Sequence, residues 1–358
     1  MGPLEALRVI DVRADAGLAS APERWTSALP GAGALDLWVD RFRNAGRLTV
    51  NFHPDRRDRA GRSVAAGLAS DGEYRSQWVT GTSAGSRSAV TGGERHRFER
   101  ELFGGAYDVL HPAAPRPVYG ALDLLHDEHG GSPRFGSSYL VLAAHVRERA
   151  TLCVGDSHVA PRDVGTFGHP WLVLAGLAEQ AQHRALLRRG LGGEELLTAL
   201  MGTYRLGRAT RDLDGYVELQ VHGSVSLADD VEAVVLDPSF RGTEIERDVV
   251  AASARFGVGV AWHCGSELAV AEVPDDFRGP TMPDLARRVA DSGLVHARAI
   301  GARAAAIGFT EPCPDGDPPE SELQQLKYLW HTVVAHGHDA DPADRDAEIR
   351  TDPGHSTS

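Results

Sequence analysis

Hydrophobic and polar residues alternate in short runs through the first two thirds of the chain, then shift to helical spacing. Arg47-Leu48-Thr49-Val50-Asn51-Phe52-His53 has the period of two that turns successive side chains to opposite faces of a sheet, and Pro54 stops it. The segments 74–80, 118–125, 138–143, 151–154, 216–222 and 231–236 are further strand-like runs, most bounded by Gly, Asp or Pro. Leu35, Leu37, Trp38, Val39 and Phe42 predict a short amphipathic helix ending near Gly46, and Ser63–Leu68 predicts one stopped at Gly72. A charged helical segment passes through Phe98 and Leu102, and the segments 171–187 and 194–201 are the best helices of the middle. After Asp237-Pro238 the pattern is helical, at about 245–256, 282–291, 294–307 and 320–336.

This order divides the chain into an N-terminal helical extension (1–45), a strand-rich core (46–240), a helical C-terminal region (241–336) and a tail (337–358) expected to be disordered. Short strands with few long crossover helices argue against a doubly wound parallel sheet and for a compact, split mixed or antiparallel one in an α+β fold. Nucleotide fingerprints are missing. Gly257-Val258-Gly259 has no third glycine at the required offset, and no phosphate-loop motif occurs.

Composition narrows the function. The hydrophobic content of 42% suffices for a sizeable core. A formal charge of −13, from 37 basic and 50 acidic residues, opposes general nucleic-acid coating. Arg41, Arg43, Arg47, Arg56, Arg57, Arg59 and Arg62 leave room for a local basic patch. Three scattered cysteines, Cys153, Cys264 and Cys313, fit neither a disulfide framework nor a zinc ribbon. No apolar run reaches membrane length and the N-terminus lacks signal-peptide character, so a cytoplasmic location is expected, with signal-less export of a toxin equally compatible.

Four segments carry polar groups on or beside strands: Asn51-Phe52-His53-Pro54-Asp55-Arg56, Tyr74-Arg75-Ser76-Gln77, Phe135-Gly136-Ser137-Ser138-Tyr139, and Tyr216-Val217-Glu218-Leu219-Gln220-Val221-His222. In this order of His, Ser/Tyr and Glu the chain resembles the ADP-ribosyltransferase superfamily over roughly residues 47–240, and its layout is similar to a bacterial domain family of unknown function. The resemblance implies an NAD cleft in which NAD is substrate and no metal takes part. It implies Glu218 as the catalytic carboxylate, with His53, Arg75, Ser76, Gln77, Tyr119, Gly136, Ser137, Ser138, Tyr139 and Gln220 around the dinucleotide. Cleavage of the nicotinamide–ribose bond passes through an oxocarbenium-like sugar, which a carboxylate beside the ribose stabilises. Arg75 or Arg56 would pair with the pyrophosphate. The implied activity is mono-ADP-ribosyl transfer to an unknown protein or nucleic-acid acceptor, or NAD hydrolysis.

One position departs from that pattern. Arginine-modifying transferases carry an acid two residues before the glutamate, where this chain has Tyr216, which speaks against arginine as acceptor. Glu232, at the start of 231–236, has almost the same local setting as Glu218 and is the reserve candidate. A rival chemistry is a serine hydrolase, because Gly81-Thr82-Ser83-Ala84-Gly85 is a literal G-x-S-x-G with Asp237 and His263 in triad order. The non-enzymatic alternative is a binding module that keeps the fold. His53/Asp55, Asp156/His158 and His126–His129 are read as chance neighbours among 16 histidines, the last as an exposed loop. Pro133-Arg134-Phe135-Gly136 and Pro238-Ser239-Phe240-Arg241 read as tight turns able to present an arginine to an anion.

Overall fold

In the computed structural model the described residues are 2–82, 88–108, 115–205, 212–311, 313–315, 318 and 321–340. Twelve strands occur among them: β1 (Arg47–Phe52), β2 (Glu73–Tyr74), β3 (Val118–Asp123), β4 (Ser138–Leu142), β5 (Ala150–Val154), β6 (Val164–Thr166), β7 (Val217–Val221), β8 (Val225–Ser226), β9 (Val231–Leu236), β10 (Gly259–Trp262), β11 (Glu267–Ala269) and β12 (Leu294–His296). Eight form one sheet in the order β10-β9-β4-β1-β3-β7-β5-β6, while β2 pairs with β8 and β11 with β12. The main sheet is antiparallel except for β9 and β10. The fold is therefore mixed α+β, but its main sheet is continuous and not split. The β4–β9 pairing bridges 231–236 to the earlier strands, and β10 adds a parallel edge from beyond residue 240.

Alternation gives the sheet two chemically distinct faces. Leu48, Val50, Leu122, Leu140, Leu152, Val217, Leu219 and Val221 point into the main core, beneath the helix Trp171–Gln182. On the opposite face the registers align Thr49 with Ala121, Ala121 with Glu218 and Glu218 with Cys153, and Tyr119 with Gln220 and Gln220 with Thr151. Thr49, Thr151, Cys153, Glu218 and Gln220 are buried as well, and Tyr119 is half-buried. A sheet with one buried polar face must satisfy those groups internally, and the site grows from that requirement.

The N-terminal helices Pro3–Ala16, Ala21–Ala28 and Asp36–Asn44 are packed into the body of the protein. Trp25 is fully buried, Arg24 bonds Asp163 and Glu179 on the middle elements, and Ile10 packs with Tyr107, Cys153 and Val164. The C-terminal helices Glu244–Phe256, Met282–Val289, Ala297–Ile307 and Glu322–His336 match their sequence expectation closely. Residues 341–358, the bulk of the expected disordered tail, lie outside the described residues. No described helix is long and apolar enough to cross a membrane.

Two local expectations change. The predicted strand over 74–80 is only Glu73–Tyr74, followed by the one-turn helix Gln77–Thr80. Ser76 stands at its N-cap, and Gly81 ends it in the left-handed conformation at φ 71°. The clustered arginines do not form a basic patch. Arg47 pairs with Asp123, Arg59 with Glu311, and Arg62 with Asp58 and Asp71, while Arg43 bonds Asp40 and the Phe167 carbonyl.

Candidate active site

A cavity of about 330 Å³ opens where the C-terminal end of β1, the start of β3 and the start of β7 meet the Gln77–Thr80 turn. Its volume is at the lower end of the range for small-molecule sites. His53, Arg75, Ser76, Gln77, Tyr119 and Glu218, six of the residues implied by sequence, line it together. Arg56, Arg95, Phe98, Arg134, Asp156, Ser157 and Lys327 complete the parts relevant to its chemistry.

Glu218 is 4% exposed. Its Oε2 accepts from the Ser157 amide at 3.3 Å and its Oε1 from the Gln220 side-chain amide at 2.7 Å. Burial, and then the neighbouring Asp156 carboxylate, push its pKa up to about 7 from the ordinary 4.5. A carboxyl poised near neutrality in a cavity is a common property of reacting groups. Asp156, from the loop after β5, also holds the His158 amide at 2.9 Å. Asp156 thus sets a second acidic group of the cavity lining beside Glu218, from a loop whose Asp156/His158 pair resembles a chance neighbourhood in sequence.

Tyr119 is held by its hydroxyl, which donates to Glu99 at 3.1 Å, and by the Arg95 guanidinium 4.6 Å over its ring. Buried Glu99 also takes the Trp78 indole N–H at 3.1 Å and Arg116 at 3.4 Å. His53 is buried beside Arg56, so both desolvation and that cation hold its ring neutral. Its outer edge meets Trp330 of the Glu322–His336 helix, with ring centroids 5.3 Å apart. Arg75 is drawn to Asp71 and Glu73 at 3.3 and 3.6 Å. Arg56 keeps a buried Nη1 without a hydrogen-bond partner, which makes it the better of the two cations for an anion. Arg134, on the Pro133–Phe135 turn, pairs with Asp214 and lies 4.0 Å from Asp156.

The remaining sequence candidates serve elsewhere. Gln220 stands behind Glu218, outside the cavity lining. Gly136 lies where a Cβ would collide with the Phe52 backbone, so its role is close packing. The Ser137 carbonyl accepts from His263, the Ser138 hydroxyl accepts from the Asp237 amide, and Tyr139 packs with Val235 under Arg47. None of Gly136, Ser137, Ser138 and Tyr139 lines the cavity. Glu232 is exposed at the far side of the sheet and also lies outside it.

Ser83 lies outside the described residues. Its would-be base has both ring nitrogens on backbone partners: His263 Nε2 at 2.6 Å from the Ser137 carbonyl, and Nδ1 accepting from the Gly265 amide at 2.9 Å. The His126–His129 segment is not an exposed loop. Asp127 is buried, pairs with Arg189 at 3.0 Å and accepts from the His129 amide at 3.0 Å. His129, His263 and Cys264 bring ligand-type atoms within 4.8 Å of one another, but the backbone bonds of His263 already occupy its lone pair.

Comparison with known proteins now places the chain. A family model described as "Protein of unknown function (DUF3626)" matches residues 47–336. The chain belongs to the DUF3626 family. The matched range opens at β1 and closes with the helix that carries Lys327 and Trp330, so the DUF3626 unit spans both the strand-rich core and the C-terminal helices. A curated relative, "Gene 2 protein" of Mycobacterium phage L5, is 28% identical over 168 residues, 47% of this chain. The match covers 59% of that relative's length.

Proposed function

We propose that this DUF3626 protein cleaves NAD at the nicotinamide–ribose bond and transfers ADP-ribose to an acceptor. The observation that carries the reading is Glu218, a buried carboxyl near neutral pKa that shares one cavity with His53, Tyr119 and Arg56, whose buried Nη1 has no hydrogen-bond partner. In this reading the C1′–N bond breaks and its electron pair leaves with nicotinamide, discharging the pyridinium. The ionised Glu218 faces the oxocarbenium-like ribose. Arrival of a cationic nicotinamide ring favours ionisation of a group that burial leaves balanced between two states. Asp156 takes the proton of the incoming nucleophile as it bonds to C1′. Arg56, Arg134 and Lys327, which line the same cavity, face the pyrophosphate.

Water in place of a macromolecular acceptor gives NAD hydrolysis. Asp156 favours this second reading, because a carboxylate beside the reacting carbon can activate water as it can an acceptor group. Incubation of the full chain with NAD and quantification of nicotinamide tests both, with ADP-ribose released free or attached to an added lysate separating them. No nicotinamide above a protein-free control would reject the proposal and leave a binding module.

A further inference from the structure

A buried line of hydrogen bonds reaches Glu218 along the polar face of the sheet. The Tyr107 hydroxyl lies 2.6 Å from His222 Nδ1, and His222 Nε2 lies 2.9 Å from Thr151 Oγ1. Thr151 Oγ1 donates to Gln220 Oε1 at 2.7 Å, and Gln220 Nε2 donates to Glu218 Oε1 at 2.7 Å. All five side chains are 4% exposed or less.

Chemistry fixes the direction of this line. The ionised Glu218 carboxylate only accepts, so in that state Gln220 turns its NH₂ to Glu218 and its oxygen to Thr151. That oxygen takes the Thr151 proton, which leaves Thr151 to accept from His222 Nε2–H. Nδ1 is then the lone pair, and it takes the Tyr107 proton. Burial, followed by Arg149, pushes the His222 pKa down to about 3, so the ring is neutral with one donor and one acceptor, as the line requires. Four successive hydrogens point toward Glu218.

We propose that Tyr107, His222, Thr151 and Gln220 form a one-way hydrogen-bond relay that orients Glu218 and favours its ionised form, with Tyr107 setting the direction from the far end. The proposal rests on the reading of Glu218 as the group that faces the ribose. None of the four lines the cavity, so they are positioning residues. Aligned bonds polarise one another, and donation to a charged acceptor stabilises it. Without the Tyr107 hydroxyl, His222 can carry its proton on Nδ1. Its Nε2 then accepts from Thr151, and Gln220 loses the donor that sets its amide.

Other groups face the same residues. Asp156, Ser157, Cys153, Tyr119 and Tyr216 surround Glu218, Arg149 adjoins His222, and Glu99 and Arg116 adjoin Tyr107. Tyr107→Phe and Thr151→Val retain all of these charges and nearly all of the volume.

The test reads the Glu218 titration without relying on turnover. The pH dependence of unfolding free energy is measured for the full chain and for Glu218→Gln, each with and without Tyr107→Phe, and again with Thr151→Val. The Glu218-dependent part of the profile should move to higher pH by roughly half a unit to one unit in both relay variants. The acid limb of nicotinamide release should move with it, slowing the reaction at pH 6 by about three- to tenfold while the rate above pH 8 stays within about twofold. Lower stability with an unmoved titration in both variants would overturn the relay and leave it as packing. Absence of nicotinamide release at every pH would reject the site reading instead, and the stability profiles would still decide the relay.

Discussion

His53 and Trp330 meet edge to face, their ring centroids 5.3 Å apart and their planes at 79°. The end of the first strand therefore leans on a helix almost 280 residues later, whose Trp330 indole also donates to the Pro133 carbonyl at 2.9 Å, next to Arg134. One buried side chain thus braces two walls of the cavity. Trp330→Ala should cost about 3–5 kcal/mol. Chemical denaturation should remain a single transition, because the C-terminal helices share the main hydrophobic core. Two separate transitions, with the earlier one alone sensitive to Trp330, would show that the C-terminal region folds apart from the sheet.

Arg56 and Lys327 reach the cavity from opposite ends of the chain. If they face phosphates, replacing either by alanine should weaken ADP-ribose binding about tenfold, roughly 1.4 kcal/mol, and leave adenosine binding within twofold. Titration calorimetry at low and moderate salt measures both ligands. Equal losses for adenosine and ADP-ribose would place these cations away from the phosphates.

The serine-hydrolase alternative gives the opposite expectation at Ser83. With both His263 nitrogens engaged by backbone groups, no activated hydroxyl is expected, so a fluorophosphonate probe should leave the protein unlabelled. Ser83→Ala should retain nicotinamide release within about twofold. Stoichiometric labelling lost in Ser83→Ala would reverse this ranking.

Much of the fold was legible where alternation and stop residues coincide. β1, β4, β7 and β9 begin and end within a residue or so of the sequence reading, because Gly, Asp or Pro bounds most of them. The short edge strands β6 and β10 were not legible, since three or four residues give too little pattern and β10 opens on glycine. The β-branched Val79 and Thr80 of the 74–80 segment suggest a strand, while Gly81 closes a helical turn there in the left-handed conformation, its N–H on the Gln77 carbonyl. Within the site, Glu218, Gln220 and His222 were readable as one face of a strand, and that spacing alone could have exposed most of the relay. Ser137, Ser138 and Tyr139 look equivalent in sequence but are engaged with His263, the Asp237 amide and Val235 on the β9 side of the sheet. Asp156, Lys327 and Trp330 enter only through long-range closure, which local patterns do not encode.

Burial of Glu218 sets a pH dependence with a definite sign. Its pKa in the folded protein is near 7, against 4.5 for an ordinary glutamate, so between those values the folded state binds more protons than the unfolded state. Stability contributed by this group is complete below about pH 4.5 and is lost as pH rises through about 7. Glu218→Gln removes the titration, so its melting temperature should exceed that of the unaltered protein at pH 8, and the difference should shrink toward pH 5. Calorimetric scans at four or five pH values check this. A variant that is less stable at pH 8 than at pH 5, relative to the unaltered protein, would contradict the burial argument.

The same substitution tests the chemistry at the opposite extreme. An ionised carboxylate facing the ribose lowers the barrier electrostatically, whereas affinity for NAD comes mainly from its adenosine and phosphate contacts. Glu218→Gln preserves shape and can still accept from one of its two donors, the Ser157 amide or Gln220, while it removes the charge and one acceptor oxygen. Nicotinamide release should therefore fall about 10²–10³-fold, while NAD affinity measured by calorimetry stays within a few-fold. Glu232 supplies the control, because it is exposed and outside the cavity. Glu232→Gln should change neither quantity by more than about twofold. The pair of variants separates local charge from general disturbance, since a loss of turnover in both with unchanged NAD affinity would mean that position 218 has no special part in bond cleavage. A loss confined to Glu232→Gln would move the reacting carboxylate to the opposite side of the sheet.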